Sequence, residues 1–376
     1  MIYLYYTDRF MGYNFGPEHP LNPVRLRLSY TLISEFGFLD GPDTCVVEPI
    51  PASEEDLLLV HTPQYLEAVK AEEPDLAFGL GIDDNPVFKG MYQAARLLAG
   101  GSIDAAKKLI HEDCSAFNLG GGLHHGMPTQ ASGFCIFNDI ALAICILKRR
   151  FKRILYIDID GHHGDGVQHI FYDDPQVLKV SIHESGLYLF PGTGFIDELG
   201  QGSGRGYSIN IPMPMYSTDD AYCKAFEEIV PALFEWFRPE AVVAQLGVDT
   251  HYSDPLTSLN VTLAGYSRMV HRIVELTDQY AMGRLLALGG GGYSLEVVPI
   301  AWAIVFQTMR GGEVPEFLPP CWMEMFTNFV GSEPFSLPDT PIKVGEGAQK
   351  RMWAELENTL RGLKKNLSEI HGVFLI

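Results

Sequence analysis

The sequence predicts an α/β fold with a central, mainly parallel β-sheet and helices on both of its faces. Six short apolar runs have the length of strands and lie at residues 115–118, 154–157, 177–183, 207–211, 242–246 and 285–288. Amphipathic stretches of helical length alternate with them at residues 87–111, 138–150, 217–236, 262–280 and 294–309. Strands that are apolar on both faces and alternate with helices are typical of a parallel sheet that is covered on both sides.

The N-terminal residues are expected to form a further strand. Residues 1–8 are rich in tyrosine and aliphatic side chains, and they carry neither the basic flank nor the small-residue cleavage site of a secretion signal. Among the helices, 138–150 has the clearest boundaries, because Asn138 can cap its first turn and the basic residues 148–150 suit its last turn. No repeat or linker divides the sequence, so we expect residues 1–376 to form a single domain.

The composition indicates a globular protein with an acidic surface. Hydrophobic residues make up 47% of the chain, and apolar runs such as 140–147 are too short to cross a bilayer. The six cysteines include no CxxC pair, which argues against a disulfide framework or a thiolate zinc site and favours a cytoplasmic location. A formal net charge of −20 disfavours nucleic-acid binding and would attract lysine-rich peptides or polyamines, although an acidic surface also serves plain solubility.

Polar residues follow four of the predicted strands, at the point where each strand ends. They occupy residues 120–125, 158–165, 247–249 and 289–293. Ligands of open parallel sheets bind beyond the carboxyl ends of the strands. We therefore expect these four segments to converge on one site.

The segment 158–165 carries three acids and two histidines within eight residues. Asp160 and His162 are two positions apart, so they project to the same side of an extended chain and can hold a divalent metal together. Asp249, at the end of another strand, is the candidate third ligand, and three protein ligands leave an open position for water. An isolated aspartate after a strand more often caps the next helix, but the density of acids and histidines here favours a metal site.

The adjacent histidines His124 and His125 each need their own orienting group. Asp158 and Asp165 can supply it, because a carboxylate on one ring nitrogen fixes the tautomer and makes the imidazole a better base. A histidine pair taken alone is more often structural.

Four consecutive glycines precede Tyr293. Such a run costs conformational entropy, and close approach of the backbone to a ligand, with the tyrosine hydroxyl delivered to the site, would account for it. A phosphate-binding loop fits poorly, since no GK[ST] or GxGxxG pattern follows. Together with the metal ligands and the histidine pair, this segment indicates metal-assisted hydrolysis of an amide.

From the N-terminus to about residue 312 the chain resembles the histone deacetylase superfamily, in particular its class I-like and bacterial acetoin-utilisation-type members. The motifs that carry the resemblance lie at residues 19–25, 121–125, 133–135, 158–167, 190–194, 245–249 and 289–293. The resemblance implies an arginase/deacetylase-like fold, with a catalytic core over residues 1–312 and a C-terminal helical tail over 313–376. It also implies zinc-dependent hydrolysis of the amide of an acyl-lysine.

The resemblance further implies a role for each site residue. Zinc, or iron(II), would be held by Asp160, His162 and Asp249. His125 with Asp165 would be the general base and later the acid, His124 with Asp158 the electrostatic partner, and Tyr293 the donor to the oxyanion. A narrow tunnel for the acyl-lysine stem would be lined by Gly133, Phe134, Phe190 and Leu256, with Asp83 as the rim acid and Arg25 toward an inner acetate-release cavity. Potassium would bind at one site around Asp158, Asp160, His162 and Ser181, and at another near Phe171, Asp174, Val177 and Tyr207.

Two residues depart from the family pattern, and several alternatives stay open. Gly161 stands where relatives carry a bulkier residue, and His251 adds an imidazole near the mouth of the site. An arginase-type enzyme with two manganese ions would need carboxylates where Gly164 and His251 stand. An acetylpolyamine amidohydrolase is the stronger alternative, whereas a non-catalytic binding module would be free to lose Tyr293 or His125. The expected partner is therefore an acylated protein or peptide, or an acylated polyamine.

Overall fold

One sheet of eight parallel strands forms the centre of the computed structural model, which describes residues 1–332 and 338–372. The strands are β1 (Ile2–Tyr5), β2 (Thr44–Val47), β3 (Ser115–Asn118), β4 (Ile154–Asp158), β5 (Val177–Glu184), β6 (Ser208–Met213), β7 (Ala241–Gln245) and β8 (Leu285–Leu288). Their order in the sheet is β2-β1-β3-β8-β7-β4-β5-β6. The predicted parallel α/β architecture is confirmed.

Helices cover the sheet on both faces. In the described parts of the chain they are α1 (Val24–Glu35), α2 (Glu54–Leu57), α3 (Pro63–Ala71), α4 (Met91–His111), α5 (Asp139–Leu147), α6 (Asp165–Ile170), α7 (Asp219–Phe237), α8 (Leu263–Ala281), α9 (Val298–Met309), α10 (Pro320–Val330) and α11 (Glu346–His371). Helices α4 and α5 pack together over β3, β7 and β8, while α7 and α8 form a layer over β5, β7 and β8. Every residue of β4, β7 and β8 is buried, which explains why these strands are apolar on both faces.

The structure differs from the predicted elements at the ends of helices and at one edge of the sheet. Strand β2 was not predicted, because its residues lie at the edge of the sheet, are partly exposed and show no continuous apolar run. Helix α4 begins at Met91 because Gly90, at φ 84°, adopts a left-handed conformation that a helix cannot continue. Asn138 caps α5 as expected, its side chain accepting a hydrogen bond from the backbone N–H of Ala141 at 2.8 Å.

The residues after 312 include two helices that pack onto the rest of the chain. Helix α10 contacts α1, and the indole of Trp322 donates a hydrogen bond to the carbonyl of Leu28 at 2.9 Å. Helix α11 buries a row of leucines against α7 and β6. Across the described residues, no helix combines the length and the apolar character needed to span a membrane.

Candidate active site

Four neighbouring strands bring the predicted polar segments to one edge of the sheet. Strands β3, β8, β7 and β4 are adjacent, and all of them end at the same edge because they are parallel. The segments that follow them therefore meet beyond their carboxyl ends, as ligand sites of such sheets do.

Asp160, His162 and Asp249 come together as a candidate metal site. Within residues 1–332 and 338–372 they are the one group of three His, Cys, Asp or Glu side chains whose ligand atoms all lie within 4.8 Å of one another. The Nδ1 atom of His162 is 2.8 Å from Oδ2 of Asp249 and 3.3 Å from Oδ1 of Asp160. All three side chains are buried, so their geometry is fixed by the surrounding protein.

Donors from three segments hold the two carboxylates in place. Oδ2 of Asp160 accepts hydrogen bonds from Nε2 of Gln245 at 2.6 Å and from the backbone N–H of Gly291 at 2.8 Å. The N–H of Gly161 donates to Oδ1 of Asp249 at 2.5 Å. A Cβ atom on Gly291 would lie 2.5 Å from Oδ2 of Asp249. A residue without a side chain is therefore needed at this position of the glycine run, where the backbone passes close to the candidate metal ligands.

The donor set fits a divalent cation. Burial raises the pKa of Asp249 to about 6, and the adjacent negative charge of Asp160 acts in the same direction. Two carboxylates and one imidazole that converge in a buried site are a ligand set that divalent metals take in catalytic centres. A bound cation would compensate the negative charge that these side chains concentrate.

The two histidines are each held by a separate carboxylate. Nδ1 of His124 lies 2.8 Å from Oδ2 of Asp158, and Nδ1 of His125 lies 2.7 Å from Oδ1 of Asp165. Because a carboxylate accepts hydrogen bonds, each Nδ1 carries the proton and each Nε2 is left to face the site. Nε2 of His124 lies 3.8 Å from Oδ1 of the candidate ligand Asp160.

The electrostatics of the two imidazoles differ, although the residues are adjacent. Burial by itself lowers the pKa of His124, but the carboxylates of Asp158 and Asp160 outweigh it and raise that pKa to about 9. Burial and the charge of His124 lower the pKa of His125 to about 4, against the opposing effect of Asp165. These surroundings favour the charged form of His124 and the neutral form of His125.

A cavity of about 220 Å³ leads from the surface to this site. It is lined by Asp84, His125, Gly133, Phe134, His162, Leu189, Phe190, Leu256 and Tyr293. The structure thus brings together the four predicted tunnel residues and adds Leu189, which sequence reasoning missed. At Gly133 a Cβ atom would lie 2.4 Å from Cδ2 of His125, so glycine sets the width of the passage.

Tyr293 is part of the wall where the cavity reaches the candidate metal ligands. Its ring packs edge-on against Phe134, with centroids 5.8 Å apart, and its backbone N–H donates to Oδ2 of Asp254 at 2.8 Å. Burial raises the pKa of the Tyr293 phenol well above its ordinary value, so the hydroxyl stays protonated and can donate. Asp254 was not singled out from the sequence, because only the fold places its carboxylate beneath Tyr293.

The rim acid differs from the one expected from the sequence. Asp84 lines the cavity, whereas the adjacent Asp83 is exposed and is not part of the lining. The two acids stand next to each other on a turn between α3 and α4, so their side chains leave the backbone in different directions. Of the two acids, Asp84 is therefore the one that the structure places at the cavity.

A smaller inner cavity lies behind the two histidines, and Arg25 lines it together with Leu21, Cys135 and Gly291. The Arg25 guanidinium is buried and donates from one nitrogen to the carbonyls of Gly290 at 2.8 Å and Gly292 at 3.0 Å. It therefore lies toward the interior, as expected from the resemblance.

The residues expected around potassium fall into two groups. In the first, Ser181 of β5 pairs in register with Asp158 of β4, and its hydroxyl lies 2.8 Å from Nδ1 of His183. In the second, the turn from Phe171 to Val177 connects α6 to β5, and the carbonyl of Phe171 accepts a hydrogen bond from Nζ of Lys179 at 2.5 Å.

The structure explains the two departures from the family pattern. A Cβ atom on Gly161 would lie 2.6 Å from Cγ2 of Thr257, so Thr257 occupies the space that a larger side chain would need. His251 does not face the mouth of the site, because its Nε2 lies 2.8 Å from Oδ2 of Asp339 in the C-terminal region. At Gly164 a Cβ atom would lie 2.5 Å from Oδ2 of Asp158. Gly164 has no side chain to bind a metal and His251 is turned toward Asp339, so neither residue supplies the extra carboxylate of an arginase-type site.

Comparisons with known proteins point to one family. The sequence pattern described as the histone deacetylase domain matches residues 19–309. The acetoin utilization protein AcuC of Bacillus subtilis (strain 168) is 45% identical over 329 residues, which cover 85% of this chain and 84% of that protein. The protein of the same name from Staphylococcus aureus (strain MRSA252) is 36% identical over 335 residues, which cover 86% of each chain. A solved structure described as an HDAC homolog from Aquifex aeolicus superimposes with a TM-score of 0.82 at 31% identity and covers 94% of this chain and 99% of its own.

Proposed function

The chain belongs to the histone deacetylase family, and we propose that it hydrolyses the amide bond of an acylated lysine in a protein or peptide. The products would be a carboxylate such as acetate and the free lysine amine. The observation that carries the proposal is the cavity that runs between Phe134 and Phe190 and ends at His125, His162 and Tyr293. Such a passage admits a straight aliphatic stem and delivers its terminal amide to the candidate metal ligands.

The roles of the side chains follow from their contacts. A divalent ion, zinc or iron(II), when held by Asp160, His162 and Asp249, supplies Lewis acidity for the carbonyl and for water. His125 is neutral, and its Nε2 can take a proton from the attacking water and return it to the leaving amine. His124 keeps its proton and adds positive charge beside the site, while the Tyr293 hydroxyl donates to the oxygen that becomes negative.

Metal content gives the first expected result. We expect one divalent ion per chain after gentle purification, and we expect the isosteric change Asp249→Asn to remove most of it, because the substitution takes away one charged ligand. Elemental analysis of both proteins measures this. Asp83→Asn, which neutralises an exposed acid, should retain the full metal content. Two ions per chain, or an undiminished content in Asp249→Asn, would contradict the proposed site.

The preference between substrate classes gives the second expected result. An aspartate at the rim can accept hydrogen bonds from the peptide N–H groups that flank an acyl-lysine, and an acylpolyamine has no such groups. Each hydrogen bond to a charged group contributes roughly 1.5–3 kcal/mol. We therefore expect kcat/KM for an acetyl-lysine peptide to exceed that for acetylputrescine or acetylspermidine by about one to two decades.

Substitution of each of the two adjacent acids, Asp84 and Asp83, tests this hydrogen bonding in the same assay. Asp84→Asn should lower kcat/KM for the peptide by about tenfold or more and leave the small polyamines little changed, whereas Asp83→Asn should leave both unchanged. Measurements at moderate salt suppress the long-range attraction that a net charge of −20 exerts on any polycation. A tenfold preference for polyamines would instead assign the chain to the acetylpolyamine amidohydrolases.

A further inference from the structure

Lys179 is a buried lysine in the middle of a central strand. It lies in β5 with only 3% of its surface exposed. Lysine is rarely buried to this extent unless its ammonium group has partners, because desolvation of the charge is costly. Burial lowers its pKa to about 7, and the carboxylates of Asp174 and Asp173 act in the opposite direction.

The partners of the Lys179 side chain come from the turn between α6 and β5. Its Nζ donates to the carbonyl of Phe171 at 2.5 Å. The same carbonyl accepts the N–H of Asp174 at 3.1 Å, and the carbonyl of Asp174 accepts the N–H of Val177 at 3.4 Å. The backbone N–H of Lys179 donates to the carbonyl of Tyr207 at 2.9 Å, so Tyr207 lies beside the Lys179 backbone.

This arrangement suits a cation. Phe171 is the residue after the last turn of α6, where the helix dipole favours positive charge. Asp174 adds a carboxylate, which is also paired with the ammonium of Lys148 at the end of α5. Phe171, which binds the Lys179 amine, and Asp174, Val177 and Tyr207, which are hydrogen-bonded to this turn or to the Lys179 backbone, are the four residues at which the family resemblance implies a second monovalent cation.

We infer that the Lys179 amine takes the place of that second cation, so that the chain fills the Phe171–Val177 turn with a side chain of its own. The carbonyl of Phe171 already contacts Nζ at 2.5 Å, so a potassium ion that used the same oxygen would have to displace the amine. The group is covalently attached, so its presence at the turn does not depend on the potassium concentration. The inference concerns the architecture of the turn and holds whether or not the proposed substrate is right.

Helix α6 connects the Phe171–Val177 turn to the candidate active site. Helix α6 begins at Asp165, whose carboxylate orients His125, and ends at Ile170, next to Phe171. Lys179 thus contacts the end of α6 that is opposite to the His125–Asp165 pair, and it touches no reacting atom.

Rubidium, a potassium substitute that is visible by anomalous scattering, gives a direct test. In metal-loaded wild-type crystals soaked in rubidium chloride, we expect no anomalous peak beside the carbonyl of Phe171. Lys179→Thr removes the ammonium and leaves a hydroxyl and space, so crystals of this variant should show a peak there. A peak at this carbonyl in the wild type, or its absence from both proteins, would overturn the inference.

Thermal unfolding supplies a second measurement in solution. Potassium chloride, compared with tetramethylammonium chloride at equal ionic strength, should raise the Tm of Lys179→Thr by a few degrees more than that of the wild type, because ligand binding stabilises the folded state. Lys179→Met fills the space without a charge or an oxygen, so its Tm should be lower than that of the wild type and should show no added response to potassium. Equal potassium increments in wild type and Lys179→Thr would count against the inference. If neither variant folds, the rubidium experiment on the wild type still decides.

Discussion

Replacing His125 by alanine is expected to lower kcat by about 10²–10⁴-fold, which is the range that a positioned general acid–base contributes. The reason is that Nδ1 of His125 is committed to Asp165 at 2.7 Å, which leaves Nε2 free toward the cavity. Burial and the neighbouring His124 charge keep its pKa near 4, so the imidazole is neutral and able to accept a proton. The measurement is kcat on an acetyl-lysine peptide, with metal content determined on the same sample.

The matched control is His124→Ala. Its imidazole has a pKa of about 9 and is charged at neutral pH, so it stabilises developing negative charge without taking the proton. Its loss should cost less than the loss of His125. Activity requires His125 without its extra proton, hence a pH above about 4, and His124 with its proton, hence a pH below about 9. The alkaline decline should therefore be weakened in His124→Ala. If His124→Ala is by far the more damaged of the two, the roles are reversed.

The sequence predicts well that the polar segments lie at one edge of the sheet, because periodicity indicates a parallel sheet. Runs that are apolar on both faces indicate a parallel sheet, and a parallel sheet brings the ends of β3, β4, β7 and β8 to one edge. The two-residue spacing of Asp160 and His162 then places two candidate ligands on one side of the chain. That β3, β8, β7 and β4 are neighbours, so that the four segments meet, depends on the strand order, which only the structure provides.

Other features could not be read from the sequence, because neighbours distant in sequence decide them. Asp83 and Asp84 are adjacent acids, and only the path of the loop determines which one lines the cavity. Helix α9 begins at Val298 and not at 294, because the preceding residues pass through the site and the backbone of Tyr293 is bound to Asp254. Lys179 is a charged residue within a buried strand. Its amine binds the carbonyl of Phe171, and the sequence does not show that the turn containing Phe171 lies next to this side chain.

Tyr293→Phe is expected to lower kcat by about 10²–10³-fold, the usual cost of removing one oxyanion donor. The change removes a single hydroxyl and keeps the ring, so the edge-on contact with Phe134 and the backbone hydrogen bond to Asp254 are preserved. Burial raises the pKa of the phenol well above its ordinary value, which means that the wild-type group donates a hydrogen bond throughout the working pH range.

Three readouts separate this role from a structural one. The metal content and the Tm of Tyr293→Phe should equal those of the wild type, and kcat should fall far more than KM changes, because the lost interaction forms chiefly in the transition state. Tyr188→Phe is the matched control, since Tyr188 lies outside the residues that line the cavity and is 48% exposed. It loses the same hydroxyl and should retain normal turnover. A near-normal kcat in Tyr293→Phe would show that the oxyanion is stabilised without Tyr293 and would remove this residue from the mechanism.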